Sequence, residues 1–298
     1  MVATSSPLLD RMPKHRVVGV APVQTSRAFA FINTEDDKDW SDQLDMFEAS
    51  LQLPAGTVWD TFDAFGGRLP SKADLEHKYQ GMLICGSHLN VDEPLDWIAN
   101  LLDIVRICAS LPLVRIVGIC FGCQIVAAAL GGKVGPNACG GYVYRNERVH
   151  VAPMLQAMLA EAASTDAVPP SSLHLLATHG SCVLQLPPDA ERLGWSEGSP
   201  NEWFFAGPHR TALCCQGHPE YTVALLKDRV SPKIAGAGTL TVTELTAVEE
   251  SFDRPLDSRA ACALLRTFLL QGPPTFHLSS GCGGESKAHP QHLFAASA

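Results

Sequence analysis

A cysteine flanked by two glycines constrains the fold of this 298-residue chain more than any other feature. Cys120 follows the apolar run 114–119 and precedes the helix-like run 124–130. Gly118 and Gly122 lie two positions to either side of it. A sharp turn from a strand into a helix leaves no room for neighbouring side chains, and glycine lets the backbone close there. The segment therefore predicts a strand–turn–helix unit, here called the elbow, that holds Cys120 in a strained, exposed position as a nucleophile.

Residues 216–220, which read Gln-Gly-His-Pro-Glu, supply the base that a cysteine nucleophile needs. In an extended segment, residues two apart project to the same side, and Pro219 fixes φ between His218 and Glu220. Glu220 is then placed to hold the imidazole in one tautomer, as the third member of a catalytic triad does. The attacking species is the thiolate, which a helix N-terminus and an imidazolium both stabilise. Together the two segments indicate a cysteine hydrolase.

Residues 120–123 also form a Cys-x-x-Cys sequence, which beside a strand can act as a redox pair. A thioredoxin-like fold explains the pair but leaves His218 and Gln124 without a role, so we favour the hydrolase. Within that interpretation, two roles for Cys123 stay open. It can form a disulfide with an oxidised Cys120 and reversibly switch activity off, or it can simply fill space beside the nucleophile.

The two motifs, Gly-x-Cys-x-Gly-x-Gln and His-Pro-Glu, resemble those of the class I glutamine amidotransferase family. The resemblance extends from about residue 28 to about residue 230. It is strongest to small stand-alone members, namely the plant γ-glutamyl peptidases and fungal proteins grouped with the glutamine amidotransferases. Further segments that share the resemblance are 34–40, 85–87, 93–97, 131–135 and 179–187.

By that resemblance, Cys120, His218 and Glu220 form the catalytic triad. The backbone N–H groups of Ser87 and Phe121 would hold the carbonyl oxygen of the attacked group, and each such donor is typically worth about 3 kcal/mol. The other residues that the resemblance places around the γ-glutamyl group are Gly86, Gln124 and His179. No metal or organic cofactor is implied. A zinc site is not predicted either, because no second Cys-x-x-Cys completes a set of four ligands.

The sequence departs from the family pattern at three places. Cys123 stands where the family usually has a histidine before the glutamine. Residues 86–88 read Gly-Ser-His where the family usually reads Gly-Gly-Pro. Ser181 lies two positions after His179, where the family often has an acidic residue. The donor at position 87 is a backbone N–H, so serine can serve there. No triad member is missing, and activity is expected.

The implied reaction is cleavage of a γ-glutamyl amide bond through a thioester on Cys120, with release of glutamate. If the leaving group is ammonia, the chain is a glutaminase that needs a separate synthase, because it has no P-loop or other ATP-binding motif. If the leaving group is the amine of a peptide, the chain is a γ-glutamyl peptidase acting on glutathione or its conjugates. The alternative is a non-catalytic protein of the same fold that binds a γ-glutamyl ligand or a partner.

Composition excludes several classes of protein. Hydrophobic residues make up 46% and charged residues 18% of the chain, which is ample for one sizeable core. The net charge of −9, with no basic cluster beyond residues 11–16, argues against a nucleic-acid partner. No apolar run reaches the roughly 18 residues that span a bilayer, so no membrane association is expected. Ten cysteines without a signal-peptide core predict reduced thiols and a cytoplasmic location.

Alternation of strand-like and helix-like runs predicts an α/β fold of the flavodoxin-like, class I glutamine amidotransferase type. In it, a mostly parallel sheet is flanked by helices, and ligands bind beyond the carboxyl ends of its strands. The predicted strands are 27–32, 57–62, 81–85, 114–119, 148–151, 173–177, 202–205 and 211–216, and the predicted helices are 40–51, 94–110, 124–130 and 256–270.

One domain is predicted over residues 27–271. Residues 1–26 are expected to be a flexible lead, with a transit peptide as the alternative because the segment is basic and rich in Ser and Thr. Residues 272–298 are expected to be a flexible tail because they lack periodicity. No element is assigned to residues 235–250.

Overall fold

The computed structural model describes residues 27–163 and 170–274. The flexible lead (1–26) and nearly all of the tail (272–298) lie outside those residues, so the expectations about them and the domain boundaries stay predictions. Among the described residues, no helix is long and apolar enough to cross a membrane.

The first half of the main sheet is parallel. Its strands are β1 (Arg27–Asn33), β2 (Thr57–Asp63), β3 (Gly81–Ile84) and β4 (Arg115–Ile119), joined later in the chain by β11 (Ala212–Cys215). Among the described residues they lie in the order β2-β1-β3-β4-β11. β3 and β11 are buried along their whole length and β4 along all but its first residue, because helices cover both faces. The carboxyl ends of β3, β4 and β11 therefore meet at one edge.

The second half of the same sheet is antiparallel. Its strands are β6 (Val143–Val151), β7 (Ser172–His179), β9 (Glu191–Trp195) and β10 (Trp203–Ala206). They extend the order as β11-β10-β9-β6-β7 within the described residues. The predicted parallel sheet is thus confirmed for its first five strands, whereas the rest of the sheet pairs antiparallel. Two further strands, β5 (Lys133–Pro136) and β8 (Ser181–Gln185), pair separately.

Helices cover both faces of the parallel half. α2 (Lys72–His77), α3 (Asp96–Ala109) and α4 (Phe121–Ala129) share one core cluster, to which Ala30, Ile84 and Ile116 contribute from the strands. α1 (Gln43–Leu51), α5 (Pro153–Ala163) and α9 (Ser258–Gln271) share the other. Alternate strand residues such as Phe29 and Phe31 face this second cluster. This arrangement is the predicted α/β sandwich.

The segment left unassigned in the sequence is helical. After Thr222, which caps the N-terminus of a short helix, the chain forms α6 (Val223–Leu225), a π-helix (Leu226–Val230) and α7 (Ser231–Ala237). A capping box between Thr241 and Glu244 then starts α8 (Val242–Ser251). The apolar residues of these elements pack as a third cluster, with Tyr144 and Tyr221. Residues 223–239 are here called the strap.

Candidate active site

Cys120 lies at the turn between β4 and α4, with φ +52° and ψ −108°. A positive φ in a non-glycine residue is a strained conformation of the kind found at functional sites. Both flanking glycines are required by space. A Cβ at Gly122 would lie 2.2 Å from the carbonyl oxygen of Ile84, and one at Gly118 would lie 2.7 Å from the carbonyl oxygen of Gly122. The predicted elbow is therefore present, although Cys120 is only 5% exposed and is reached through a cavity.

His218 lies beside the elbow because β11 runs parallel to β4 and ends next to it. The backbone N–H of Cys120 donates to the carbonyl of Cys215 (2.8 Å), and that of His218 donates to the carbonyl of Leu176 (2.8 Å). Nδ1 of His218 lies 2.7 Å from Oε1 of Glu220, and its imidazole interacts electrostatically with Cys120. Both His218 and Glu220 are buried. The structure thus brings the three predicted triad residues together.

The electrostatics at His218 favour its charged form. Burial alone lowers the pKa of the imidazole, but the charges of Glu220 and Cys120 outweigh burial and raise the pKa to about 10. At neutral pH the ring is therefore an imidazolium next to the sulfur of Cys120. A neighbouring imidazolium is the feature that keeps a cysteine nucleophile ionised.

Stacked aromatic rings fix the plane of the imidazole. The ring of Tyr221 lies 4.0 Å from that of His218 at an interplanar angle of 4°. Trp40 stacks on the other side of Tyr221 at 5.1 Å, and the guanidinium of Arg229 lies 5.5 Å from the ring of Trp40. The stack runs from the imidazole of His218 to Arg229 of the strap. It restrains rotation of the imidazole more than the hydrogen bond to Glu220 does alone.

The loop after β3 faces the elbow. A Cβ at Gly86 would lie 3.1 Å from Cε1 of His218, so glycine allows this close approach. Oγ1 of Thr34 donates to the carbonyl of Gly86 (2.9 Å). Within residues 27–163 and 170–274, the backbone N–H groups of Ser87 and Phe121 donate to no protein acceptor. Both donors are available to an oxyanion, as the resemblance implies.

Glu35 anchors the next residue of that loop. Its carboxylate accepts the backbone N–H of His88 (3.1 Å) and lies 2.6 Å from the Nδ1 of the same residue. It also accepts the N–H groups of Asp36 and Asp37 at 3.0 and 3.1 Å. Asp36, Glu35 and His88 bring three potential metal ligands together, but the Glu35 carboxylate is already used by these four contacts. We therefore infer that Glu35 and His88 hold the loop in its conformation. They take over a role that the proline usual at position 88 has in the family.

Two residues that the resemblance places at the substrate lie behind the cavity wall. Gln124 is buried and donates to the carbonyl of Ser181 (2.8 Å). Nδ1 of His179 lies 2.7 Å from Oδ1 of Asn137, while its Nε2 has no partner in the described residues, and burial lowers its pKa to about 3. Alternation along β7 brings Thr178 rather than His179 to the cavity. The binding roles of Gln124 and His179 stay predictions.

The cavity in front of Cys120 has a volume of about 400 Å³. Its reactive side carries Gly86, Ser87, Cys120 and His218, and the strap forms much of the opposite side. The strap residues that line the cavity are Val230, Lys233, Ile234, Ala237 and Thr239. No sequence signal identified them, since their elements are only three to seven residues long.

Known proteins resemble this chain in sequence and in fold. Residues 69–231 match the family described as Glutamine amidotransferase class-I. Gamma-glutamyl peptidase 4 of Arabidopsis thaliana is 34% identical over 192 residues, which cover 63% of this chain and 71% of that protein. A Saccharomyces cerevisiae protein provisionally named a glutamine amidotransferase is 27% identical over 214 residues, which cover 66% of this chain and 80% of that protein.

A solved structure of a glutamine amidotransferase from Methylobacillus flagellatus agrees in fold, with a TM-score of 0.63 over 90% of this chain and 100% of that one. Its sequence identity is 18%, so the likeness concerns the fold alone. The fold defines an α/β protein in which helices flank a mixed sheet. The chain belongs to the class I glutamine amidotransferase family. Family and relatives together support an enzyme.

Proposed function

We propose that this protein is a cysteine hydrolase that cleaves the γ-glutamyl amide bond. The observation that carries the proposal is the position of Cys120 on a strained elbow, on the same cavity as a His218 that Glu220 keeps charged. The same sulfur opens onto a cavity large enough for a substrate. A buried structural cysteine would need neither the strain nor the imidazolium.

The reaction follows from these groups. The thiolate of Cys120 attacks the γ-carbonyl carbon, and the N–H groups of Ser87 and Phe121 receive the oxyanion. The imidazolium of His218 gives its proton to the leaving nitrogen as the C–N bond breaks, which leaves a γ-glutamyl thioester. His218, now neutral, takes a proton from water, and the resulting hydroxide attacks the thioester. Glutamate leaves and the thiolate is restored.

The cavity favours a leaving group larger than ammonia. Its volume of about 400 Å³ lies in the range that accepts drug-sized ligands, which exceeds the needs of glutamine. The far side presents apolar groups from Trp40, Val230 and Ile234. Such a surface suits an amine that carries carbon atoms, as in a γ-glutamyl peptide, and the plant relative bears the name of a peptidase. We therefore place γ-glutamyl peptides first among substrates.

A second candidate is a glutaminase that passes ammonia to a separate synthase, because the matched family is named for glutamine amidotransfer. The test is glutamate release by the purified protein from glutamine and from an S-substituted glutathione, with Cys120→Ala as the control. We expect release that depends on Cys120, with kcat/KM at least tenfold higher for the glutathione conjugate. Preference for glutamine would favour the glutaminase.

The non-catalytic alternative needs its own measurement. A γ-glutamyl chloroketone should alkylate Cys120 and leave Cys120→Ala unlabelled, as mass spectrometry of the peptide would show. Absence of both labelling and glutamate release would contradict the hydrolase and support a binding protein.

A further inference from the structure

Gln216 contacts the nucleophile, although neither the triad nor the oxyanion loop uses it. It follows β11 directly, and its side chain is completely buried. Its Nε2 lies 3.7 Å from Sγ of Cys120, within hydrogen-bonding distance for sulfur. Its backbone N–H donates to the carbonyl of Glu202 at 2.8 Å, and this bond fixes the position of the backbone from which the side chain extends.

The hydrogen-bond network determines which end of the amide faces the sulfur. The carbonyl of Ser181 can only accept, so it must meet the Nε2 of Gln124, at 2.8 Å. That same Nε2 lies 3.2 Å from Gln216, which must therefore present its Oε1 there. Reversing either amide would set two NH₂ groups or two oxygens against each other. The Nε2 of Gln216 is thereby directed at Cys120.

Cys123 supports the same orientation. Its Sγ lies 3.5 Å from Oε1 of Gln216, and burial raises the pKa of the Cys123 thiol well above its usual value. The group stays a protonated donor and gives its S–H to that oxygen. Two donors therefore occupy the oxygen of Gln216, and its N–H groups stay available to Cys120. The cysteine that replaces the usual family histidine thus has a definite contact.

The other groups near the sulfur differ from Gln216 in charge, in accepting rather than donating, or in making no hydrogen bond to Sγ among the described residues. His218 is charged and is paired with Glu220. Tyr142 and Tyr221 interact electrostatically with Cys120, and burial raises the pKa of both phenols, so they are neutral. The carbonyl of Thr178, 3.9 Å from Sγ, accepts from the thiol and repels the thiolate. Among the described side chains, Gln216 is the neutral donor whose N–H lies within hydrogen-bonding distance of Sγ, and it favours the thiolate.

We propose that Gln216 is a further catalytic residue, whose side-chain amide donates an N–H to the thiolate of Cys120 and stabilises it. The inference rests on the proposed function only in taking Cys120 as the nucleophile. It assigns the glutamine before the His-Pro-Glu motif to the sulfur rather than to the substrate. The amide oxygen is held by Gln124 and Cys123, which are positioning residues for this donor.

The test measures the sulfur without any substrate. Alkylation of Cys120 by iodoacetamide is followed between pH 5 and 9 by mass spectrometry of its peptide, in wild type and in Gln216→Met. A lost hydrogen bond to a charged group should raise the midpoint of the rate profile by about one pH unit and slow alkylation at pH 6 about tenfold. Gln216→Glu keeps the shape, and its ionised carboxylate has no donor and places a negative charge beside the sulfur, so it should shift the midpoint further. The control is Gln156→Met, on the surface of α5.

An unchanged midpoint in folded Gln216→Met would overturn the proposal. Thermal melting would show whether that variant folds. If it does not, Gln216→Glu is the test, and an unchanged midpoint of its rate profile would overturn the proposal. Gln124→Met should give a smaller shift, and adding it to Gln216→Met should cause no further change. If the wild type releases no glutamate, that result counts against the proposed function. The pH profile of Cys120 alkylation still tests the role of Gln216, because it needs no substrate.

Discussion

The two sides of the cavity are stabilised by different kinds of interaction. The reactive side consists of the buried ends of β4 and β11, where Cys120 and His218 are 5% and 2% exposed. The opposite side, formed by the strap, is tied to the loop 37–42 by ion pairs between partly exposed side chains. These pairs are Arg229 with Asp42, at 2.7 and 2.8 Å, and Lys233 with Asp37 and Asp39.

This difference suggests that the reactive side determines the rate of the reaction and that the strap determines the choice of substrate. Charges in a buried site interact strongly, so removing one partner leaves an uncompensated charge and a large penalty. Exposed ion pairs are typically worth about 0–1 kcal/mol and weaken with salt. We therefore expect substitutions on the reactive side to abolish turnover and substitutions on the strap to change substrate preference.

The largest effect is expected for Glu220→Gln. The charge of Glu220 is a main cause of the raised pKa of His218, so the variant should lower that pKa and weaken the pairing of imidazolium and thiolate. Loss of the orienting carboxylate should reduce kcat/KM by roughly 10²- to 10⁴-fold. Glutamate release at pH 7 measures the loss. The exposed Glu48→Gln on α1 is the matched control.

Stability should depend on pH with a definite sign. A histidine whose pKa is raised on folding stabilises the folded state fully below its unfolded pKa, about 6.5, and loses that contribution as pH rises through about 10. Glu220→Gln removes much of this contribution. Urea unfolding should therefore show a larger difference from wild type at pH 6 than at pH 10. Equal differences at both pH values would contradict the charge assignment of His218.

The elbow was predictable from the sequence because its constraints are local. Gly118, Cys120 and Gly122 are close in the chain, and their spacing requires a tight turn whatever surrounds it. The parallel strands were predictable for a similar reason, since buried strands read as continuous apolar runs. The partners of Glu35 and Gln216 were not predictable. Glu35 bonds to His88, 53 positions away, and Gln216 bonds to Cys120, 96 positions away, and only the folded sheet brings these residues near.

The strap escaped prediction for another reason. Its helices are short, and a π-helix interrupts the 3.6-residue period on which pattern recognition depends. Its apolar residues pack against Tyr144 and Tyr221, which belong to other parts of the chain. The antiparallel strand β9 was also missed, because Glu191 and Arg192 begin it. Such elements form through tertiary contacts rather than local preference.

An intermediate effect is expected in the loop after β3. His88→Pro restores the residue usual in the family, yet it removes the backbone N–H that Glu35 accepts at 3.1 Å. The N–H of Ser87 should then be held less precisely. We expect kcat to fall about tenfold with KM within twofold, since the loss concerns the transition state. His88→Asn keeps the N–H and should lose less than threefold. A proline variant as fast as wild type would show that Glu35 does not position the loop.

The smallest effect is expected on the strap. Replacing both Arg229 and Lys233 by Met removes its ion pairs with the loop 37–42. The apolar side of the cavity should then be held less firmly against the leaving group. We expect KM for a glutathione conjugate to rise about threefold while the KM for glutamine stays unchanged. Because Tyr221 still stacks on His218 and Trp40 on Tyr221, kcat should fall less than twofold. In wild type, 0.5 M sodium chloride should act in the same direction, because salt screens exposed pairs.

The control for this prediction is Lys227→Met, which removes a cation of the strap that lies over the ring of Phe252 and not against the loop. It should leave both KM values unchanged. An equal rise in KM for glutamine in the Arg229 and Lys233 double variant would mean that the strap acts on the γ-glutamyl end. The two sides of the cavity would then not divide chemistry from selectivity. If KM rises only for the glutathione conjugate, the strap recognises the leaving group.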